Sequence, residues 1–273
     1  MLENAEMMLT DFILPSRVNQ TWKFTGIDSV EQCKDLAHFK SYPYPIEYNY
    51  NSRGFRDSEW PNFRSDFEKS IWCVGDSFTV GIGSPIEHTW PYLLQQATSQ
   101  RTINVSMDGA SNNWISRKVV RILEEIRPDI IVIHWSFAHR GEVDPNNMSD
   151  RMWNQFYAAL RGPGWPECDR LDFDKVADRI PDDARLLHHC RRTNEDDLDN
   201  TLECISRVNK SNVATKVIHS FVPDFIPHEF RESIKSQVSL CIPEIKNLDL
   251  ARDGFHYDII TSSWLVGQIQ KLL

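Results

Sequence analysis

The chain has 273 residues and six cysteines, and no two of those cysteines share a C-x-x-C spacing. The usual signature of a zinc ribbon or a dithiol redox centre is therefore missing. No apolar run approaches the roughly 20 residues that a membrane-spanning helix needs. Positive charge is in the minority, with 30 Lys and Arg against 39 Asp and Glu and a formal net charge of −9. A nucleic-acid partner would call for a basic stripe, and an anionic membrane surface for basic charge; neither is expected. The opening "MLENAEMMLTDFILPSR" carries early acids and lacks the basic start of a secretory signal. These absences lead us to expect a cytoplasmic chain with Cys33, Cys73, Cys168, Cys190, Cys204 and Cys241 all reduced. "VGIGS" has glycines but no following Gly-Lys-Ser/Thr, which disfavours a phosphate loop. No internal repeat and no low-complexity segment is present.

What is present is a core-forming composition, 41% hydrophobic and 11% aromatic, at a length that suits one α/β domain with insertions. From Lys69 onward the pattern is regular. "SIWCVG", "TINVSM" and "DIIVIHWS" read as strands; the last is apolar for four residues in a row, as a strand covered on both faces should be. "HTWPYLLQQATS" and "SNNWISRKVVRILEEIR" between them read as helices. In the second, Ile115, Val119, Ile122, Leu123 and Ile126 recur at helical spacing, and Pro128 stops it. "NEDDLDNTLECISRVNKSN" is a helix with an acidic start, "TKVIHSFVP" a fourth strand, "KNLDL" a candidate last strand, and "DIITSSWLVGQIQKLL" a closing helix. Such alternation predicts an α/β fold, a three-layer α/β/α sandwich on a mainly parallel sheet of about five strands. Residues 1–65 are expected as an N-terminal extension packed on the core, with 66–273 as the main domain. The extension holds a helix over Ser29–Ser41 capped by Ser29, a strand at "IEYNYN" and a turn at "NSRGF". The stretch 141–185, rich in Asp, Pro and Trp, breaks the rhythm and reads as an insertion with short helices, overhanging the strand ends as a lid or wall.

Two polar constellations stand out. "IWCVGDSFTV" ends a buried strand in Gly75, Asp76 and Ser77. Ligands of open parallel sheets bind beyond the carboxyl ends of the strands, so Ser77 stands where a nucleophile would. A serine there still needs a base; otherwise the tripeptide is a turn with Asp76 bonding its own backbone. "LARDGFHYD" places Asp253 and His256 in a polar turn before the last helix. An Asp close to a His can fix its tautomer and stabilise its protonated form; the plainer alternative is a solvated turn. "LLHHC" together with His219 lacks ligand spacing, so no metal is expected. Trp114, Trp135, Trp153 and Trp165 read mostly as core, with Trp135 and Trp165 also open to lining a sugar platform.

Taken together, "VGDSFTVG" and "DGFHY" resemble the first and last signature blocks of the SGNH (GDSL-like) hydrolases. "INVSMDGAS" is similar to the second block, with Asn104 and Gly109 in its Asn and Gly places. "HTWPYLL" and "NYNSRGFRDSEWP" also resemble segments of many members, and the likeness spans about residues 48–140 and 195–273, over the regular element pattern. It implies a serine esterase: Ser77 as nucleophile, His256 as base and Asp253 as its orienter. The backbone amides of Ser77 and Gly109 would form an oxyanion hole, with no metal or organic cofactor. Asp76 would support the loop. One block departs. Where the family has Gly-x-Asn-Asp, this chain reads "HWSFAHRGE", so the third oxyanion donor would have to be Ser136, or Arg140 or His139 from the loop. Losing one such donor commonly costs about 10²–10³ in rate. The expected substrate is a small-molecule or glycan ester, for instance a short acyl or acetyl ester of a carbohydrate. Two other readings are an inactive glycan- or protein-binding descendant of the fold and an O-acyltransferase on the same triad.

Overall fold

Strands form where the sequence runs apolar, and helices where apolar residues recur every three or four positions. The computed structural model describes residues 9–10, 12–142, 186–188, 194–223, 225 and 231–273. Its elements in chain order are β1 (Thr21–Trp22), α1 (Leu36–Ser41), β2 (Tyr48–Asn49), α2 (Arg64–Glu68), β3 (Ile71–Gly75), α3 (Ser77–Val80), α4 (Trp90–Thr98) and β4 (Thr102–Ser106). Then follow α5 (Asn112–Glu125), β5 (Ile130–Trp135), β6 (Arg140–Glu142), β7 (Leu186–His188), α6 (Asn194–Ser211), β8 (Lys216–Phe221), α7 (Arg231–Lys235) and α8 (Ile259–Leu272).

The central sheet has the order β4-β3-β5-β8, and every pair in it is parallel. The chain steps from β3 to β4 in one direction and then to β5 and β8 in the other. Right-handed crossovers therefore put α4 on one face and α5 and α6 on the opposite one. The contacts agree, since α8 packs on α4 while α5 packs on α6. The result is the three-layer α/β/α architecture read from the sequence. β3 and β4 are buried along their whole length, as strands covered on both faces must be. The change of direction lies between β3 and β5, which makes the carboxyl ends of those two strands the natural ligand crevice.

Three local features differ from expectation. The fifth strand at "KNLDL" does not form; a single parallel bridge between His219 and Cys241 stands at that edge. Pro243 follows closely and has no N–H to extend a ladder. The first helix starts at Leu36, not Ser29, because Asp35 is its cap, accepting from Ala37 N at 2.9 Å and His38 N at 3.0 Å. Ser29 instead closes a turn, its carbonyl accepting from Cys33 N. The strand at "IEYNYN" shrinks to Tyr48–Asn49, paired with Thr21–Trp22. The expected helices within 141–185 fall on residues 143–185, outside the described residues; Arg140–Glu142 pairs with Leu186–His188 as an antiparallel ribbon. Leu9, Phe12, Leu14, Phe55 and Trp60, from the N-terminal region, share one core cluster with the sheet.

Candidate active site

Ser77 opens α3 directly after β3. Its position depends on two neighbours. Asp76 caps the turn, its carboxylate accepting from Phe78 N at 3.1 Å. Gly75 leaves room for the turn to fold back: a Cβ there would overlap the Thr79 hydroxyl and lie 3.0 Å from the His134 carbonyl. At the other end of the chain, the loop before α8 brings Asp253 and His256 to the same point. The Ser77 hydroxyl lies 2.8 Å from His256 Nε2, and His256 Nδ1 lies 2.5 Å from Asp253 Oδ2. A carboxylate only accepts, so Nδ1 carries the proton and Nε2 is left to receive the Ser77 O–H. The second carboxylate oxygen of Asp253 accepts from Phe255 N at 2.9 Å and His256 N at 3.0 Å. Burial by itself would raise the Asp253 pKa. The hydrogen bond from the His256 ring, the charge of that ring and the two amides together outweigh burial and hold the carboxyl below its ordinary range. All three side chains are buried.

Gly109 lies in the loop that leaves β4 next to β3, and Met107 N donates to Gly75 O to hold the two loops together. Neither the Ser77 amide nor the Gly109 amide has an acceptor among the described residues. Asn104 is not at this point. It sits within β4, donating to the Arg56 and Thr79 carbonyls and accepting from Ser106 Oγ, which makes it a strut under α3. The Ser136 hydroxyl, the first candidate for the third oxyanion donor, is committed elsewhere: it donates to Asp76 Oδ2 at 2.7 Å. Arg140 reaches the same place. Its Nη1 donates to Asp76 Oδ2 at 2.7 Å and to Ser136 Oγ at 2.9 Å, while its Nε is buried without a partner among the described residues. Arg140 also lies over the Phe137 ring, and His139 stacks against Phe137 with ring centroids 5.5 Å apart.

Phe78 and Phe255 lie 4.5 Å and 5.1 Å from the His256 ring, and Phe137 packs against both of those phenylalanines. Trp135 is not a platform: it is fully buried, stacks on His219 and donates its indole N–H to His219 Nδ1 at 3.0 Å. Trp114 is core as well, and Trp153 and Trp165 lie outside the described residues. So do His189, Cys168 and Cys190. Among the described residues there is no cluster of three or more His, Cys, Asp or Glu able to hold a metal ion, and no helix is long and apolar enough to cross a membrane.

No sequence motif marks Asp28, Tyr48, Arg56 or Arg252, yet all four hold the loops that carry Ser77, Asp253 and His256. Tyr48 and Arg56 lie in the stretch "NYNSRGFRDSEWP" or just before it, and Arg252 directly precedes Asp253. Those neighbours were the available signal; Asp28 had none.

No family model and no curated protein matches the chain. Among solved structures, it is similar to a member of the lipolytic protein G-D-S-L family from Veillonella parvula, at 11% identity and a TM-score of 0.44, over 74% of this chain and 96% of that one. The psychrotrophic esterase EstA from Pseudoalteromonas sp. is similar at 14% identity and a TM-score of 0.41, over 74% and 95%. A family two carbohydrate esterase from Clostridium thermocellum, solved with cellohexaose, is similar at 10% and 0.44, over 75% of this chain and 63% of that one.

Proposed function

We propose that this chain is an SGNH-type serine esterase that hydrolyses a carboxylic ester, a short acyl or acetyl ester of a carbohydrate being the substrate class to try first. The observation that carries the reading is the continuous relay from Ser77 through His256 to Asp253, with every proton direction fixed by its partners. In this reading His256 Nε2 takes the Ser77 proton as the oxygen attacks the ester carbonyl. The imidazolium that forms is held by Asp253, whose carboxyl stays ionised. The Ser77 and Gly109 amides receive the developing oxyanion. His256 then protonates the leaving alcohol, and water resolves the acyl-enzyme by the reverse sequence.

The third donor is Arg140. The Ser136 hydroxyl is spent on Asp76, and a guanidinium nitrogen stands 2.9 Å from that hydroxyl. Asp76 is the counter-charge that holds Arg140 in place. The partly exposed rings of Phe137 and Phe255 offer apolar faces to the acyl or sugar part. Covalent labelling of Ser77 by a fluorophosphonate tests the reading: the wild type should take one adduct, and Ser77→Ala none.

A further inference from the structure

The loop after α3 and the loop that carries Asp253 and His256 meet at Gly83. A Cβ at Gly83 would come within 2.9 Å of Ala251 Cβ and 3.0 Å of Asp253 Cγ, and its φ of +78° is one that glycine adopts without strain. The contact is closed by a ring of hydrogen bonds. Arg252 N donates to Gly83 O at 2.8 Å. Gly83 N donates to the Tyr48 hydroxyl at 2.8 Å. Tyr48 donates to Asp28 Oδ2 at 2.5 Å. Arg252 returns to the same carboxylate, with Nε 2.8 Å from Oδ1 and Nη2 2.6 Å from Oδ2. Asp28 and Tyr48 are both fully buried.

Other side chains of the same N-terminal stretch grip the two loops separately. Arg56, enclosed in the protein and stacked on Tyr48, donates to the carbonyls of Val80, Gly81 and Ser84. His38 Nε2 donates to Ala251 O at 2.8 Å. Tyr42 donates to Asp258 Oδ2 at 2.5 Å, and Asp258 also accepts from Ser84 Oγ.

We propose that residues 28–56 form a clasp that sets the distance between Ser77 and His256 by tying the loop after α3 to the 251–258 loop, with Asp28 and Tyr48 as its central positioning residues. The catalytic part of this inference rests on the triad reading above. The tie itself does not, because it is a statement about two loops. Neither residue touches the reacting atoms; each acts through Gly83 or Arg252, which lie in the chain close to Ser77 and Asp253. A misplacement of about 1 Å between reacting groups can cost about 10²-fold in rate, so a connection of this kind bears directly on turnover.

The test uses the full chain with Tyr48→Phe and Asp28→Asn, both close in shape to the native residue, and Val208→Ala in α6 as a control that loses buried contact away from both loops. Two readings are taken. Hydrogen exchange followed by mass spectrometry should rise together in 80–84 and 251–256 for each clasp variant, including 80–84 in Asp28→Asn, where the change reaches that loop through Tyr48 and through Arg252. With p-nitrophenyl acetate, kcat should fall about 10- to 100-fold while KM stays within about twofold. Val208→Ala should leave both readings near wild type. Faster exchange confined to one loop, or unchanged kcat in both clasp variants of an active wild type, would overturn the clasp. A wild type that turns over no ester and takes no fluorophosphonate would overturn the triad reading instead, and coupled exchange would then decide the clasp by itself.

Discussion

Arg140 has one observed duty, to Asp76, and one proposed duty, to the oxyanion, at a single place. Its guanidinium neutralises Asp76, whose side chain is wholly enclosed, and it stands 2.9 Å from the Ser136 hydroxyl. Removing a partner from such a pair leaves a buried charge and costs about 3–5 kcal/mol of stability, so activity has to be read on folded protein. Arg140→Ala should lower kcat by about 10²–10³ with little change in KM, the loss typical of one oxyanion donor. Asp76→Asn in the same chain separates the duties. If Arg140 donates to the oxyanion, the double variant recovers stability and not rate; if it serves Asp76 alone, the rate returns too. Steady-state kinetics beside urea unfolding would decide. At this scale the sequence was legible where identity implies chemistry. Ser77, His256 and Asp253 converge, and the Ser77 and Gly109 amides are left without acceptors among the described residues. Ser136 and Asn104 were harder to read, because a hydroxyl or amide serves whichever acceptor lies nearest, and that is decided by neighbours from other strands.

Among the elements, α3 is the one on which the site depends, and it exists because β3 can turn sharply at its end. Gly75→Ala should force apart the Thr79 side chain and the His134 carbonyl. We expect a loss of about 1–3 kcal/mol, the usual cost of overpacking a filled core, and a slower fluorophosphonate reaction as Ser77 is displaced. Urea unfolding and a labelling time course would measure both; unchanged values would mean the turn tolerates a side chain. The buried strands and long amphipathic helices were legible from periodicity alone. The short elements were not. α1 has two possible caps, and Asp35 prevails over Ser29 because its carboxylate reaches two amides at once. The last strand is reduced to one bridge at Cys241, beside a proline that the pattern of "KNLDL" does not reveal.

On the scale of the whole molecule, buried titratable groups set the response to pH. Burial lowers His134 to about 4, with the Asp76 charge opposing it, and lowers His219 to about 4. Both rings fold neutral, so the stability they contribute is complete above their ordinary value of 6.5 and is lost as pH falls from there through 4. Each accounts for about 3 kcal/mol. Asp57 acts in the opposite sense: burial, partly offset by Arg101, raises it to about 6 from 3.8, so the folded state gains stability as pH falls between those values. Two histidines outweigh one carboxyl of similar shift, and the net expectation is a loss of about 3 kcal/mol between pH 6.5 and 4. Urea unfolding across that range would show it, and His219→Gln should flatten the slope. The architecture was legible at this scale because alternation of strands and helices, joined to the right-handed crossover rule, leaves few arrangements. The ties from the N-terminal region were not legible, because Asp28 and Arg252 are 224 positions apart in the chain, and nothing local marks a partner at that separation.

The central claim is that Ser77 is a nucleophile activated by His256. Intact-mass analysis after treatment with a fluorophosphonate tests it most directly, on wild type, Ser77→Ala and His256→Ala. The account predicts one phosphonyl adduct on the wild type, mapped to Ser77, and none on either variant under the same conditions. A well-folded wild type that remains unlabelled, or an adduct that survives Ser77→Ala, would contradict it.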